Sequence, residues 1–191
     1  MISRPFRIRP AANCVRFDRI KYSRTAKEKT SGIWYQKSKD RKGEWGYMVT
    51  VKRILEKKKK GFWTVAPDTS AYEALQLMAE NDVGALLVVG KEKDLLGIFT
   101  ERDYSRKVVL KGKSSKDTPI GELMTGSVYS VAPDDPIEKC MTTMNDKRVR
   151  HLPVLERGKP VGLVSIRDVV NMIISEREDT IKHLKDYISQ G

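Results

Sequence analysis

Over residues 1–46 no apolar period is sustained, and from about residue 48 the pattern of hydrophobic and polar positions becomes regular. Ala71, Ala74, Leu75 and Met78 recur at the spacing that places them on one face of a helix. Ser70-Ala-Tyr-Glu73 just before them is a capping box, in which each side chain satisfies a free backbone N–H. The runs Gly84-Ala-Leu-Leu-Val-Val89 and Leu95-Leu-Gly-Ile-Phe99 predict buried strands joined by the charged turn Lys91-Glu-Lys-Asp94. A second set follows in the same order. Ile137, Cys140, Met141 and Met144 form the stripe of a helix that Asp135 is expected to cap and Pro136 to open. Leu152-Pro-Val-Leu155 and Val161-Gly-Leu-Val164 predict strands around Arg157-Gly-Lys-Pro160. The methionines of both stripes are read as core filler. Helices opening at Asp103 and Asp168 close the two sets, so each set is strand, helix, strand, strand, helix. The last helix carries a further stripe, Ile181, Leu184 and Ile188, suited to contacting another chain.

The two sets are one unit written twice. Trp63-Thr-Val-Ala-Pro-Asp68 returns as Tyr129-Ser-Val-Ala-Pro-Asp134, and Leu96-Gly-Ile-Phe-Thr-Glu-Arg-Asp103 as Val161-Gly-Leu-Val-Ser-Ile-Arg-Asp168. Val65 maps to Val131 and Met78 to Met144 at an offset of 66, and Gly97 to Gly162 and Asp103 to Asp168 at 65. Two copies are too few for a solenoid, which needs about three or more units. They predict two subdomains packed about a pseudo-twofold axis, with equivalent clefts between them. Met48-Val-Thr-Val51 and Arg53-Ile-Leu55 lead into the first copy, and Pro119-Ile-Gly-Glu-Leu-Met124 echoes them ahead of the second. The expected division is a basic extension or targeting segment over 1–47, repeat units over 48–112 and 113–175, and a helical extension over 176–191.

Charge separates the regions further. The net charge of +12 is uneven: residues 1–60 hold 19 Lys/Arg against 5 Asp/Glu, and residues 61–191 hold 18 against 20. A basic, acid-poor start is the composition of an organellar transit peptide, although Pro5 and Pro10 interrupt the amphipathic helix such a peptide forms. The same segment interleaves its cations with Phe6, Phe17, Tyr22, Trp34, Tyr35, Trp45 and Tyr47, a composition that can follow a phosphate backbone and stack on unpaired bases. A targeting peptide with a linker, and an arm contacting RNA through residues 1–60, both stay open. Two cysteines, Cys14 and Cys140, build no disulfide framework, which fits a reducing compartment. Cys140 falls on an apolar stripe and is expected to be buried and inert. No apolar run approaches the roughly 20 residues of a membrane span. His151 and His183 are the only histidines; neither has a cysteine beside it, and no metal-ligand cluster, phosphate-cradling loop or nucleophile elbow occurs. The chain is not expected to be an enzyme.

The order of elements, with Val-x-Pro-Asp entering each first helix, Asn81-Asp-Val-Gly84 and Arg148-Val-Arg-His-Leu-Pro-Val154 entering the second strands, and Gly-hydrophobic-hydrophobic-Thr/Ser-x-Arg-Asp leaving the third, resembles the CBS domain in tandem, the Bateman module. The resemblance covers residues 48–175 and is nearest to short, single-pair plant-type organellar CBS proteins, on Gly97-Ile-Phe-Thr-Glu-Arg-Asp-Tyr104, Arg106-Lys107 and Ser114-Ser-Lys116. It implies an α+β fold of two β-α-β-β-α subdomains, a homodimer of CBS pairs, and an AMP, ADP, ATP or S-adenosylmethionine ligand held between the copies, with no obligatory cofactor. It also implies regulation of a partner enzyme, of the thioredoxin kind, in mitochondria.

The residues agree with such a ligand. Asp103 and Asp168 offer carboxylates at strand-to-helix turns, where they can accept from ribose hydroxyls. Thr100 and Ser165 offer hydroxyls to a phosphate, and Arg102, Arg167, Arg148, Arg150 and His151 offer charge or N–H donors. Free N–H groups at the following helix starts add to them. Val65, Leu86, Val131 and Leu152 would support the adenine. Each polar residue has a second reading: the aspartates as plain helix caps worth roughly 0.5–2 kcal/mol, Thr100 and Ser165 as turn formers, His151 as a surface histidine. Arg148 and Arg150, one residue apart on a predicted strand, would share a face. The first copy lacks their cluster, so the two clefts should differ. The alternative function is a structural subunit of a large mitochondrial assembly, a ribosome or respiratory complex, anchored by the basic arm.

Overall fold

The computed structural model describes residues 15–17, 29–30, 33–34, 36–39, 45–58 and 61–189, with side chains from residue 49 onward except those of 180, 183, 184 and 187. Cys14, most of the basic arm, and the targeting and RNA-contact readings attached to it lie outside the described residues. Within the arm, β1 (Val15–Phe17), the hairpin of β2 (Lys29–Thr30) with β3 (Ile33–Trp34), and that of β4 (Gln36–Lys39) with β5 (Trp45–Met48) are formed. The fold is mixed α+β, and the chain divides into two compact units that interleave in sequence. The first comprises residues 1–18 and 62–128, the second 19–61 and 129–191.

In the first unit β6 (Phe62–Val65) runs parallel to β7 (Ala85–Val89), which pairs antiparallel with β8 (Leu95–Thr100), while β1 extends the sheet beside β6. Helix α2 (Ala71–Asn81) crosses between β6 and β7. Its capping box is formed: Glu73 N–H donates to Ser70 Oγ at 3.2 Å, and Ser70 N–H donates to Glu73 Oε2 at 3.0 Å. Ala71, Ala74 and Met78 face inward onto Leu86, Val88 and Phe99, with Leu75 packed at the edge. Helix α3 (Glu101–Lys107) follows β8 directly.

The second unit repeats the order with one economy. Helix α4 (Ile137–Lys147) leads to the hairpin of β9 (His151–Glu156) and β10 (Lys159–Ser165), then to α5 (Ile166–Ser189). The expected first strand shrinks to a single parallel bridge between Val131 and Val154. Ile137, Cys140 and Met144 are buried with Leu152, Val154 and Val164, whereas Met141 of the predicted stripe is exposed. Burial, with Asp135 nearby, pushes the Cys140 thiol up to about 11, so it stays protonated. Ile181 and Ile188 of the extension stripe stand exposed.

The segments ahead of each copy pack where the chain order does not place them. Helix α1 (Val51–Lys57), which leads into the first copy, buries Val51 and Ile54 in the core of the second. Val51 N–H donates to Asp135 O at 2.9 Å, and Ile137 N–H to Val49 O at 3.0 Å. Residues 118–125, ahead of the second copy, bury Ile120 and Leu123 in the first and bridge Thr125 to Ile98. Gly97 admits this crossing, since a Cβ there would stand 2.7 Å from Thr125 O; its counterpart Gly162 faces Leu55 Cδ2 at 2.6 Å.

Three expected helix starts are corrected. Helix α3 opens at Glu101 and α5 at Ile166, each two residues earlier than expected. Helix α4 has Pro136 at its cap position with no side-chain cap, because Asp135 turns back to accept from Ala132 N–H at 2.7 Å and hold Lys139 at 2.8 Å. The N–H of Ile137, the first residue of the helix, donates to Val49 O at 3.0 Å.

Candidate functional site

The strand-to-helix corner of each unit gathers the residues that carry chemistry. At the first, Thr100 is the cap of α3 and Asp103 its third residue, a capping box rather than the expected aspartate cap. Asp103 N–H donates to Thr100 Oγ1 at 3.2 Å, while Asp103 Oδ2 accepts from Thr100 N–H at 3.1 Å and Thr100 Oγ1 at 2.6 Å. The second corner repeats it. Asp168 N–H donates to Ser165 Oγ at 3.2 Å, and Asp168 Oδ2 accepts from Ser165 N–H and Oγ, both at 2.8 Å. The sequence offered caps or ligand contacts; both aspartates cap from the third position, through the hydroxyl residue before them.

The corners part company at the other carboxylate oxygen. Asp103 Oδ1 accepts from Thr125 Oγ1 at 3.1 Å and pairs with Lys107 Nζ at 2.9 Å, so all the acceptor sites of the carboxylate, about four, are taken. Asp168 instead receives Lys58 Nζ at 3.0 Å on the same Oδ2 that takes Ser165. Its Oδ1 has no hydrogen-bond partner among the described residues. Burial alone would raise the Asp168 carboxyl. The Lys58 ammonium and the two Ser165 donors outweigh it and hold the group below the ordinary 3.8, ionised and ready to accept.

The flanking residues sharpen the difference. Strand register sets His151 opposite Ser165, and Ile166 N–H donates to Arg150 O at 2.9 Å, so the Arg-His pair borders the second corner. The first corner has Gly84 and Ala85 there instead. A Cβ on Gly84 would stand 3.3 Å from Glu101 Oε2, so an acidic side chain lies over that position. Arg102 and Arg167 are exposed in the first turns of α3 and α5. Arg148 is corrected: it ends α4 in the left-handed conformation (φ 54°), so it shares no strand face with Arg150, which precedes β9. Its counterpart Asp82 ends α2 in the same way (φ 52°). Val65 and Leu86 sit in the core of the first unit, and Val131 and Leu152 in that of the second.

Two lysines escaped the sequence reading. Lys107 lies one turn along α3 from Asp103, a spacing that could have flagged it. Lys58 entered the sequence picture only as one of the cations of residues 1–60, and it lies 110 residues from its partner. Among the described residues no three His, Cys, Asp or Glu side chains stand together as metal ligands would, and no helix is long and apolar enough to cross a membrane.

Two interleaved units, each closed by a Thr/Ser-x-x-Asp corner after a paired strand, define a tandem CBS-domain protein. The chain belongs to the CBS domain family, whose model matches residues 48–109 and 120–175. It is 37% identical over 151 residues to CBS domain-containing protein CBSX3, mitochondrial, of Arabidopsis thaliana, covering 74% of this chain and 73% of that one. A putative signal-transduction protein with CBS domains from Burkholderia ambifaria matches in structure at 46% identity and a TM-score of 0.63, over 66% of this chain and 95% of that one. The CBS domain pair of MJ0100, solved with 5′-methylthioadenosine and S-adenosyl-L-methionine, shares the fold at 24% identity and a TM-score of 0.60, over 68% of this chain and 98% of that one.

Proposed function

We propose that this chain is a non-catalytic regulatory module that takes an adenine nucleotide at the Ser165–Asp168 corner and modulates a partner enzyme in mitochondria. The observation that carries this reading is the ionised Asp168 carboxylate with Oδ1 unspent and Lys58 on its other oxygen, next in register and sequence to His151, Arg150 and Arg167. A ribose diol donates to such an oxygen, and the Lys58 ammonium suits a phosphate, while the Ser165 hydroxyl, its one proton given to Asp168 Oδ2, holds the carboxylate in place. Val131 and Leu152, buried in the core of the second unit, hold its hairpin in place. Binding of adenosine compounds by the MJ0100 pair supports the ligand class, and likeness to the mitochondrial CBSX3 supports the compartment. Regulation requires the nucleotide to favour one state of the module over another. Two copies pair through the apolar residues that α5 leaves in solvent, Ile166, Val170 and Ile174.

The test is calorimetric titration of AMP, ADP, ATP and S-adenosylmethionine into the full chain and into Asp168→Ala. Micromolar binding that the variant loses is the expected result. Equal binding by the variant, or none by the parent, overturns the assignment.

A further inference from the structure

Lys58 occupies, in the second unit, the place that Thr125 fills in the first. Thr125 N–H donates to Ile98 O at 2.9 Å, and Thr125 Oγ1 donates to Asp103 Oδ1 at 3.1 Å. In the second unit a single ammonium reaches both the equivalent carbonyl and the aspartate, here on the oxygen the capping box already uses: Lys58 Nζ donates to Leu163 O at 2.9 Å and to Asp168 Oδ2 at 3.0 Å. Ile98 and Leu163 correspond at the repeat offset of 65. A neutral amide and hydroxyl have been exchanged for a cation.

The exchange leaves a donor in hand. An ammonium carries three N–H groups; Lys58 commits two, and the third has no partner among the described residues. Its side chain is 25% exposed, so a ligand can reach it. Lys107 at the first corner has no such reserve, being spent on Asp103, on Leu123 O at 2.6 Å, and on Met124 O and Thr125 Oγ1 at 3.3 and 3.4 Å.

We propose that Lys58 is the specificity-determining residue of this corner, selecting adenosine ligands with an anionic 5′ substituent and turning away those with a cationic one. The inference rests on the adenosine reading given above. A ribose whose diol donates to Asp168 Oδ1 carries its 5′ group a few bonds away, within reach of an ammonium already seated on the other oxygen. A 5′-phosphate there completes a charge-assisted hydrogen bond. The sulfonium of S-adenosylmethionine meets a like charge in a half-buried setting, where screening is weak.

The experiment titrates adenosine, AMP and S-adenosylmethionine into the full chain, into Lys58→Met and into Lys58→Arg, with thermal melts as a check of folding. The parent should bind AMP about tenfold tighter than adenosine and S-adenosylmethionine about tenfold weaker. Lys58→Arg should keep that order. Lys58→Met should bring all three to within about threefold of one another; Lys58→Gln, which retains two N–H donors, takes its place if the methionine variant does not fold. A parent that does not prefer AMP to adenosine overturns the proposal. So does a Lys58→Met or Lys58→Gln protein that keeps the parental order, or one that tightens all three ligands alike, since the ammonium would then be a plug on Asp168 and nothing more. Neutral adenosine separates the two readings: if the parent does not bind even adenosine, the site itself is refuted, and the role of Lys58 with it.

Discussion

The Thr100–Asp103 and Ser165–Asp168 corners begin from the same four-residue motif and the same three internal hydrogen bonds, and they end with opposite capacities. At the first, Thr125 and Lys107 consume the second carboxylate oxygen, and Glu101 lies over the adjoining glycine. At the second, Lys58 joins the oxygen already used, the other stays open, and arginine and histidine border the corner. A shared motif therefore defines a scaffold, and the residues arriving from distant segments decide whether it can receive a ligand. The first corner spends its whole carboxylate on its own unit, and the second keeps one oxygen to spare.

Exchanging the two carboxylates tests that division most severely. Asp168→Ala should weaken AMP by more than about a hundredfold, since charged hydrogen bonds to two hydroxyls are lost. Asp103→Ala should leave AMP within about twofold and lower unfolding stability by about 1–3 kcal/mol, because four donors lose their acceptor. Calorimetry and urea denaturation on both variants read the crossing directly; a binding loss of the same size at Asp103 would erase the distinction. The glycines behind the corners give a smaller contrast. Gly97→Ala drives a Cβ against the Thr125 carbonyl and should cost about 2–3 kcal/mol, whereas Gly162→Ala meets the movable end of Leu55 and should cost about 1 kcal/mol or less.

A pH effect belongs to the second corner. The Asp168 carboxyl is held below its ordinary value in the folded chain, so its contribution to stability is complete above 3.8 and is lost as pH falls through the lower folded value. Asp168→Asn should flatten the part of the stability profile below pH 3.8 that this group supplies. Smallest of all is the turn joining β9 and β10, where Arg157 (φ 51°) and Gly158 (φ 78°) both take left-handed backbone. Asn-Gly suits such a two-residue hairpin better, so Arg157→Asn should raise stability by about 0.5 kcal/mol, visible as a small rise in Tm.

The repeat made most of this fold legible in advance. Apolar spacing located α2, α4 and the four central strands, and the Ser70–Glu73 box was read correctly because capping chemistry is local. The errors lie where local patterns compete with distant partners. Asp135 resembles a cap, but its carboxylate is drawn to Ala132 N–H and Lys139. Arg148 looked like a strand residue because the apolar run begins beside it, yet it ends a helix in the left-handed region. The aspartates of the corners were recognised as a pair, but their inequality was out of reach, since it depends on Lys58 and Thr125 coming in from the segments ahead of each copy. The repeat offset of 66 carries Thr125 back to Lys59, one residue from Lys58, which is as near as the sequence comes to it.

Stoichiometry tests the central claim most directly. Equilibrium dialysis of radiolabelled AMP against the full chain should give one nucleotide per chain, abolished in Asp168→Ala and preserved in Asp103→Ala. Two equivalent nucleotides per chain would contradict the account.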